Sequence, residues 1–495
     1  MLLALRNFLL RPWRSVLLLL GFSLGVAVMI VLLSIGEALV VQASDERLIG
    51  GGDVTVLPQG IDVEVLKTGG LGGMFFSIDH ARFINRQLLT APRLATSVVA
   101  VAPQIEDKLL YLRVPDGREL AVVGLGEIPS RSRAVGALPS IAAGEWTDDD
   151  LDRRWRDPSD AELRHDIDHF HLPPADAQGD PSWAEWHYFN VLSTDRRRWA
   201  FISFIVGGEV PRGQWGGQVL VTLHEQGVPA RRFSTTVPSS SVRLSTTRAD
   251  LRIGESSVTV RPDGRYAVRA HAVEEGGDAV VDVDIVVSPA AGAYFPGAAL
   301  TGGEVLSGYV VPALRAEASG RICVRGACAS YIDAQAYHDH NWGVWRGVTW
   351  EWGAARAGEY TLLYGRVQPA DSSVASQPLF AYLVDSLGFL AVLRPREIVY
   401  DDARSLRVNG AEIRVPSRAL MVDVRGTDTL RVELTVDDAT ATDTRRPLVE
   451  RGDAAAARQL VRPYFIQMKG TARLTGTIGG RVVRGEGTGF FETYR

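Results

Sequence analysis

VVDVDIVVSP, residues 280–289, alternates apolar and charged side chains before it closes on Pro289. A period of two marks a strand with one buried face. The same alternation recurs in RWAFISFIVGG (198–208), GQVLVTLHE (217–225), YAVRAHAV (266–273), YTLLYGRV (360–367) and RLTGTIGGRVVRGEGTGFFETY (473–494). Gly, Pro and Asp turns separate these runs, and helical periodicity nearly disappears apart from RGDAAAARQLVRPY (451–464). Short strands at regular spacing from Glu185 onward point to two successive antiparallel barrels or sandwiches rather than a parallel sheet.

With 495 residues the chain is too long for one core. Hydrophobic content of 46% and charged content of 22% are ordinary for globular domains. A net charge of −5 gives no basic footprint, so no nucleic-acid partner is expected. Lysine occurs only at 67, 108 and 469, which leaves arginine to carry the positive charge.

Val16 to Gly36, VLLLLGFSLGVAVMIVLLSIG, is a run of 21 residues without a charge, long enough as a helix to cross a bilayer. Arg6, Arg11 and Arg14 precede it, and Glu37, Asp45 and Glu46 follow. The positive-inside bias then keeps the N-terminus cytoplasmic and sends the bulk of the chain outward. A signal peptide cleaved near VQAS (41–44) is the competing reading, but the apolar run is about double a signal's usual length. The expectation is a single-pass inner-membrane protein with residues 1–44 as cytoplasmic N-terminus and anchor. The other candidate span, LFAYLVDSLGFLAVL (379–393), is short and interrupted by Asp385.

Residues 45–147 read as a small extracytoplasmic α/β domain. GGDVTVLPQG (51–60) is a strand closing on a turn, and SIDHARFINRQLLTA (77–91) has helical periodicity with Ser77 placed to cap it. VVAVAPQIEDKLLYLRV (98–114) and RELAVVGLGEIP (118–129) read as strands. Together with LALRNFLLRPWRSVLLLLGFSLGVAVMIVLLSIGEAL (3–39) and LPSIAAGEW (138–146), this segment resembles ABC-transporter permeases of the macrolide-exporter and lipoprotein-release type. Such permeases need further spans after this domain, so the chain is not expected to form a channel alone. The resemblance implies ABC-transporter ATPase or permease subunits as partners.

Residues 148–184, rich in Asp, Arg and Pro, read as a polar connector or draped surface segment. Residues 185–345 and 346–495 are then the two barrels. ICVRGACA (322–329) reads as a hairpin turning at Arg325-Gly326, which sets Cys323 opposite Cys328 at a separation a disulfide can bridge. An extracytoplasmic location favours that bond over two free thiols.

AYHDHNWG (336–343) concentrates the chain's proton-transfer chemistry. On a strand, Tyr337, Asp339 and Asn341 point one way and His338, His340 and Trp342 the other. If the first set faces an enclosed site, burial makes Asp339 a carboxylic acid able to donate a proton. If the second set faces inward, His338 and His340 become a base or metal pair and Asp339 is solvated. Sequence leaves the face open.

YHDHNWG, with AEWHYFNVLS (184–193), HFHLPPADA (169–177) and the closing GRVVRGEGTGFFETY, resembles the family of carotenoid 1,2-hydratases and AttH-type secreted lipocalin-like proteins. The resemblance implies two tandem lipocalin-like antiparallel β-barrels over about His165 to Arg495. It also implies hydration, cyclisation or related proton-initiated chemistry on an isoprenoid or other unsaturated lipophilic substrate. Carried over residue by residue, the acid that protonates the C=C bond is Asp339, with Tyr337 beside it. The chain departs from the family at position 187, a histidine in place of the usual aromatic. It departs again in SGYVVPALRAEA (307–318), where Tyr309 and Val311 stand in place of a His-x-Trp pair.

Each of these residues also has a plainer reading. Asp339 can simply accept backbone hydrogen bonds, and Glu185, Trp186 and Tyr188 can pack and seal a barrel end rather than bind substrate. Trp342, Trp345, Trp350 and Trp352 can line an apolar pocket or be ordinary core. His165, His169 and His171 could ligate a metal, but structural zinc usually draws on a more closed Cys/His set. The expectation is therefore no metal and no cofactor. There is no GxSxG, P-loop or Cys/His nucleophile pattern. Two readings follow: a hydro-lyase or isomerase with Asp339 as general acid, or a non-catalytic lipid carrier serving an ABC-type export system.

Overall fold

The computed structural model of the chain describes residues 12–44, 54, 78–90, 97–113, 118–136, 147–156, 159–173, 179–300, 307–345, 347–368, 378–445, 457–458 and 460–495. Two compact units divide it, Met1–Leu89 with Ala95–Asp157, and Thr90–Leu94 with Pro158–Arg495.

In the first unit the apolar run lies within a helix, α1 (Pro12–Ser44). Among the described residues no helix is long and apolar enough to cross a membrane. The amphipathic run after Ser77 forms α2 (Ile78–Thr90). Strands β1 (Gln104–Arg113) and β2 (Glu119–Glu127) pair as an antiparallel hairpin. Helices α3 (Pro129–Ala134) and α4 (Asp150–Arg156) follow. The cap Ser77 lies outside the described residues, as does the strand expected at 51–60 apart from Val54, which is not in a strand. Of the helix expected at 451–464, half is described: Ala457 and Arg458 are helical, residues 460–463 are not, and Tyr464 already opens the strand Tyr464–Ile478.

The second unit is almost entirely β. It opens with α5 (Asp160–Ile167), where Ser159 and Glu162 cap each other reciprocally. Here the sequence reading needs correction, because residues 160–171 are not draped over the surface. Leu163, Ile167, Asp168 and Phe170 are buried, and Phe170 belongs to the barrel core. The segment's polar composition hides the role because its buried carboxylate, Asp168, is hydrogen-bonded inside the barrel by Tyr266 and His340.

The first sheet runs through β3 (Trp183–Leu192), β4 (Arg198–Glu209), β5 (Gln214–Glu225) and β6 (Val228–Pro238). The short strands β7 (Val242–Leu244), β8 (Leu251–Ile253) and β9 (Ser256–Val260) come next. It continues as β10 (Tyr266–Glu274), β11 (Val280–Pro289), β12 (Phe295–Leu300), β13 (Ser307–Val324) and β14 (Ala327–Val344). Strands β3, β4, β5, β6, β10, β11, β13 and β14 pair in that order, and β14 pairs back to β3. This is a closed, antiparallel, up-and-down ring of eight strands, the lipocalin architecture. The alternation in β11 works as read, with Val281, Val283 and Ile285 buried and Asp282 and Asp284 exposed. Cys323 and Cys328 are disulfide-bonded across the β13–β14 hairpin, whose Arg325 and Gly326 both take positive φ.

The second sheet comprises β15 (Thr349–Ala357), β16 (Tyr360–Gln368), β17 (Phe380–Asp385), β18 (Gly388–Leu393) and β19 (Val399–Asp401). A separate hairpin, β20 (Arg404–Val408) with β21 (Ala411–Val415), interrupts it before β22 (Arg418–Arg425), β23 (Asp428–Asp443), β24 (Tyr464–Ile478) and β25 (Arg481–Tyr494). Among the described residues this nine-stranded sheet is open, with β18 and β19 at its edges. Leu362, Leu383, Met421, Val432 and Leu474 share one core, so the sheet curls on itself. An aromatic-rich third cluster lies between the sheets, including Tyr188, Trp199, Phe201, Tyr337, Trp352 and Phe490. Arg232 donating to the Ala441 carbonyl (2.9 Å) and Tyr382 to the Tyr294 carbonyl (3.1 Å) tie the sheets together.

Candidate active site on two faces of one strand

The antiparallel register lays YHDHNWG alongside EWHYF: Tyr337 opposes Asn190, Asp339 opposes Tyr188, His340 opposes His187, and Trp342 opposes Glu185. Directly opposed residues share a face. One face therefore gathers Tyr337, Asp339, Asn341, Tyr188 and Trp186, and the other gathers His338, His340, Trp342, Glu185 and His187.

The histidine face points into the barrel, the orientation for which the sequence reading expected a solvated Asp339. That expectation is overturned. The second sheet covers the outer face of β14, and Asp339 is only 4% exposed. Both faces are interior.

On the inter-sheet face, the Tyr337 hydroxyl donates to Asp339 Oδ2 (2.8 Å) and Asn341 Nδ2 donates to Oδ1 (2.7 Å). From β15 of the other sheet, Trp352 Nε1 donates to the Tyr337 hydroxyl (2.9 Å). Trp352 packs against Gly365, where a Cβ would come within 2.4 Å of the indole. A second buried carboxylate, Glu492 on β25, accepts from Trp350 Nε1 (3.0 Å) and Gln467 Nε2 (3.3 Å). Every one of these donors is neutral.

Burial, reinforced by the charge of Glu492, pushes the Asp339 carboxyl up to about 8 against the pull of Tyr337 and Asn341. Burial likewise pushes Glu492 up to about 6. The Tyr337 and Tyr188 phenols are driven well above their ordinary range by burial, with Asp339 and Glu492 adding to it. Beside Tyr337 lies a cavity of about 20 Å³, lined by Asn190, Trp199, Gln335, Arg356 and Phe490 among others. That is room for roughly one water molecule. Trp186, Trp345 and Trp350 form a partly exposed aromatic ladder at this face, with ring centroids 4.9 and 5.9 Å apart.

Inside the barrel, His340 bridges two carboxylates, with Nδ1 2.7 Å from Asp168 Oδ1 and Nε2 3.0 Å from Glu185 Oε1. Burial opposes its protonation, but the two carboxylates more than compensate and raise it to about 9. The Tyr266 hydroxyl donates to the other oxygen of Asp168. Burial would raise Asp168, yet His340, hydrogen-bonded to it, holds it well below the usual carboxylate range. Glu185 accepts from the His171 backbone N–H (2.8 Å), and the His171 ring stacks on Trp342 at 3.6 Å. Glu185 and Trp342 thus serve the barrel interior, whereas Trp186 and Tyr188 serve the inter-sheet face.

His165, His169 and His171, weighed in the sequence as possible metal ligands, are not a converging set among the described residues, and the His171 ring is committed to Glu185. Among the described residues, the set whose ligand atoms do converge, within 4.8 Å of one another, is Asp168, His187 and His338.

No protein-family profile matches the sequence, and no curated protein is similar to it. Solved structures similar to this chain include a candidate AttH from Nitrosomonas europaea, 15% identical with a TM-score of 0.44, over 66% of this chain and 100% of that one. Kievitone hydratase from Nectria haematococca is 12% identical with a TM-score of 0.42, over 66% of this chain and 92% of that one. CghA is 15% identical with a TM-score of 0.39, over 66% of this chain and 96% of that one.

Sequence reasoning missed Asp168 and Glu492 as members of these clusters, and gave Trp352 only as a pocket-lining or core aromatic, not as the donor to Tyr337. Asp168 sits in a segment that reads as linker. Glu492 lies in FFETY, beside the aromatic residues Phe490, Phe491 and Tyr494, where a lone acid among large apolar side chains is the available signal.

Proposed function

We propose that the chain is an acid–base enzyme acting on an unsaturated lipophilic molecule, an isoprenoid or lipid, by hydration, cyclisation or isomerisation. The observation that carries this reading is a pair of buried carboxylates, Asp339 and Glu492, brought from two sheets, held by neutral donors and walled by aromatic rings. A structural carboxylate in such a place is ordinarily matched by a cation.

Asp339 delivers its proton to one alkene carbon. The π pair becomes the new C–H bond, and the other carbon is left cationic. Faces of Tyr337, Trp352 and Phe490 suit a cation that has no counter-ion of its own. In hydration, water adds to the cation and Glu492 takes the proton the water releases. In isomerisation, Glu492 takes a proton from a neighbouring carbon, and the C–H electrons form the new double bond. Returning the proton from Glu492 to Asp339 restores the starting state. A substrate larger than water enters only when the aromatic side chains between the sheets move apart. Anchoring through Val16–Gly36, an extracytoplasmic location for the bulk of the chain, and association with an ABC-type exporter belong to the same proposal.

The test is to incubate the full chain with a panel of unsaturated isoprenoids and fatty acids in heavy water. Deuterium on carbon supports the enzyme. Tight binding of a lipid without any deuterium supports the carrier and defeats the proposal.

A further inference from the structure

Two imidazoles inside the barrel face a carboxylate with atoms that have no hydrogen-bond partner. His187 Nε2 lies 2.9 Å from the Ala249 carbonyl oxygen, and His338 Nδ1 lies 3.0 Å from that of Tyr188. A carbonyl can only accept, so each of those nitrogens carries the hydrogen. In the neutral rings, the remaining nitrogens present bare lone pairs. His187 Nδ1 and His338 Nε2 are both buried and unpartnered. They sit 4.0 Å from Asp168 Oδ1 and 3.5 Å from Asp168 Oδ2. Two lone pairs aimed at a buried carboxylate repel it unless a cation stands between them.

We propose that Asp168, His187 and His338 bind one divalent transition-metal ion inside the barrel. Two imidazoles and a carboxylate suit ions of the Zn²⁺ or Fe²⁺ class. Ligand atoms around a tetrahedral ion stand about 3.4 Å apart, so the 3.5 and 4.0 Å separations from Asp168 are close to that spacing and the set as a whole, within 4.8 Å, draws together on binding. Metal-bound histidines ordinarily give their other N–H to a carbonyl or carboxylate, as both rings do here. Asp168 is oriented in turn by His340 and Tyr266. The ligands come from the segment after α5, from β3 and from β14, so the ion pins the buried segment to the barrel wall. This site is separate from the acid chemistry of Asp339, whose side chain leaves β14 on the opposite face.

The experiment uses tag-free full-length chain in detergent, stripped with a chelator and titrated with Zn²⁺, then with Co²⁺ as a spectroscopic probe. About one equivalent of Zn²⁺ should bind and raise the Tm, and Co²⁺ should give visible absorption bands. His187→Phe, which places an aromatic ring beside Phe170 and Phe189, should stay folded and weaken Zn²⁺ binding by about tenfold or more. Asp168→Asn should do the same. Should either variant fail to fold, imidazole NMR of the unmodified chain decides between metal and proton. Loss of the free Nδ1 and Nε2 lone-pair signals of His187 and His338 on adding Zn²⁺ supports the site. No Zn²⁺ uptake, uptake unchanged in both variants, or a His338 ring protonated on both nitrogens in the presence of excess Zn²⁺ overturns it.

Discussion

The two faces of β14 show how one strand can carry two kinds of buried polarity. On the barrel side, negative and positive groups are interleaved: His340 stands between Asp168 and Glu185, and Tyr266 and His171 complete their hydrogen bonding. On the inter-sheet side, Asp339 and Glu492 receive only neutral donors, and burial pushes both carboxyls upward. Desolvation acts on both faces. What differs is whether an opposite charge answers it. A face that answers it suits stability, and one that leaves an acid unanswered suits the proton transfer proposed above.

The comparison breaks most visibly at His340. Its replacement by alanine strands Asp168 and Glu185 as buried carboxylates without their shared imidazolium, which costs about 3–5 kcal/mol. Chemical denaturation should show a loss of that size, and a change under about 1 kcal/mol would mean the network is slack.

Glu492 sharpens the other side. Its folded pKa of about 6 exceeds the ordinary carboxylate value. Between roughly pH 4.5 and 6 the folded chain therefore holds a proton that the unfolded chain has lost, so stability falls as pH rises through that window. The contribution is about 2 kcal/mol. The drop in unfolding free energy between pH 4.5 and 6.5, to which the raised Asp339 carboxyl also contributes, should be smaller by about 2 kcal/mol in Glu492→Gln than in the wild type. Equal drops would mean Glu492 ionises as it does in water.

The smallest effect is expected at Trp352→Phe, which removes the donor to Tyr337 but keeps an aromatic ring between the sheets. The loss should be about 1 kcal/mol of stability. Deuterium transfer should slow by less than the Asp339 substitution slows it. An equal slowing would make Trp352 part of the chemistry rather than a brace for Tyr337.

Much of this was legible in the sequence because strands announce their faces. The alternation in 280–289 told which side of β11 is buried, and ICVRGACA told which cysteines meet. The split of 337–342 into two sets was equally readable. Which set faces the interior was not, because the question assumed one interior. Docking of a second sheet onto β14 depends on contacts such as Trp352 with Tyr337, and local pattern carries no trace of them. Asp168 was illegible for a related reason. Burial of a charged residue is decided by partners distant in sequence, here Tyr266 and His340, and the local composition of residues 148–184 resembles solvent-exposed chain.

The central claim is that Asp339 delivers the proton. It is tested most directly by comparing wild type with Asp339→Asn for deuterium transfer from heavy water to carbon in a bound unsaturated lipid. Thermal unfolding is measured on the same samples. Asparagine keeps the size and can still pair with Tyr337 and Asn341, so the variant should remain folded and bind. Its rate should fall by about 10²–10⁴-fold. A folded, binding-competent Asp339→Asn chain that transfers deuterium at the wild-type rate would contradict the account.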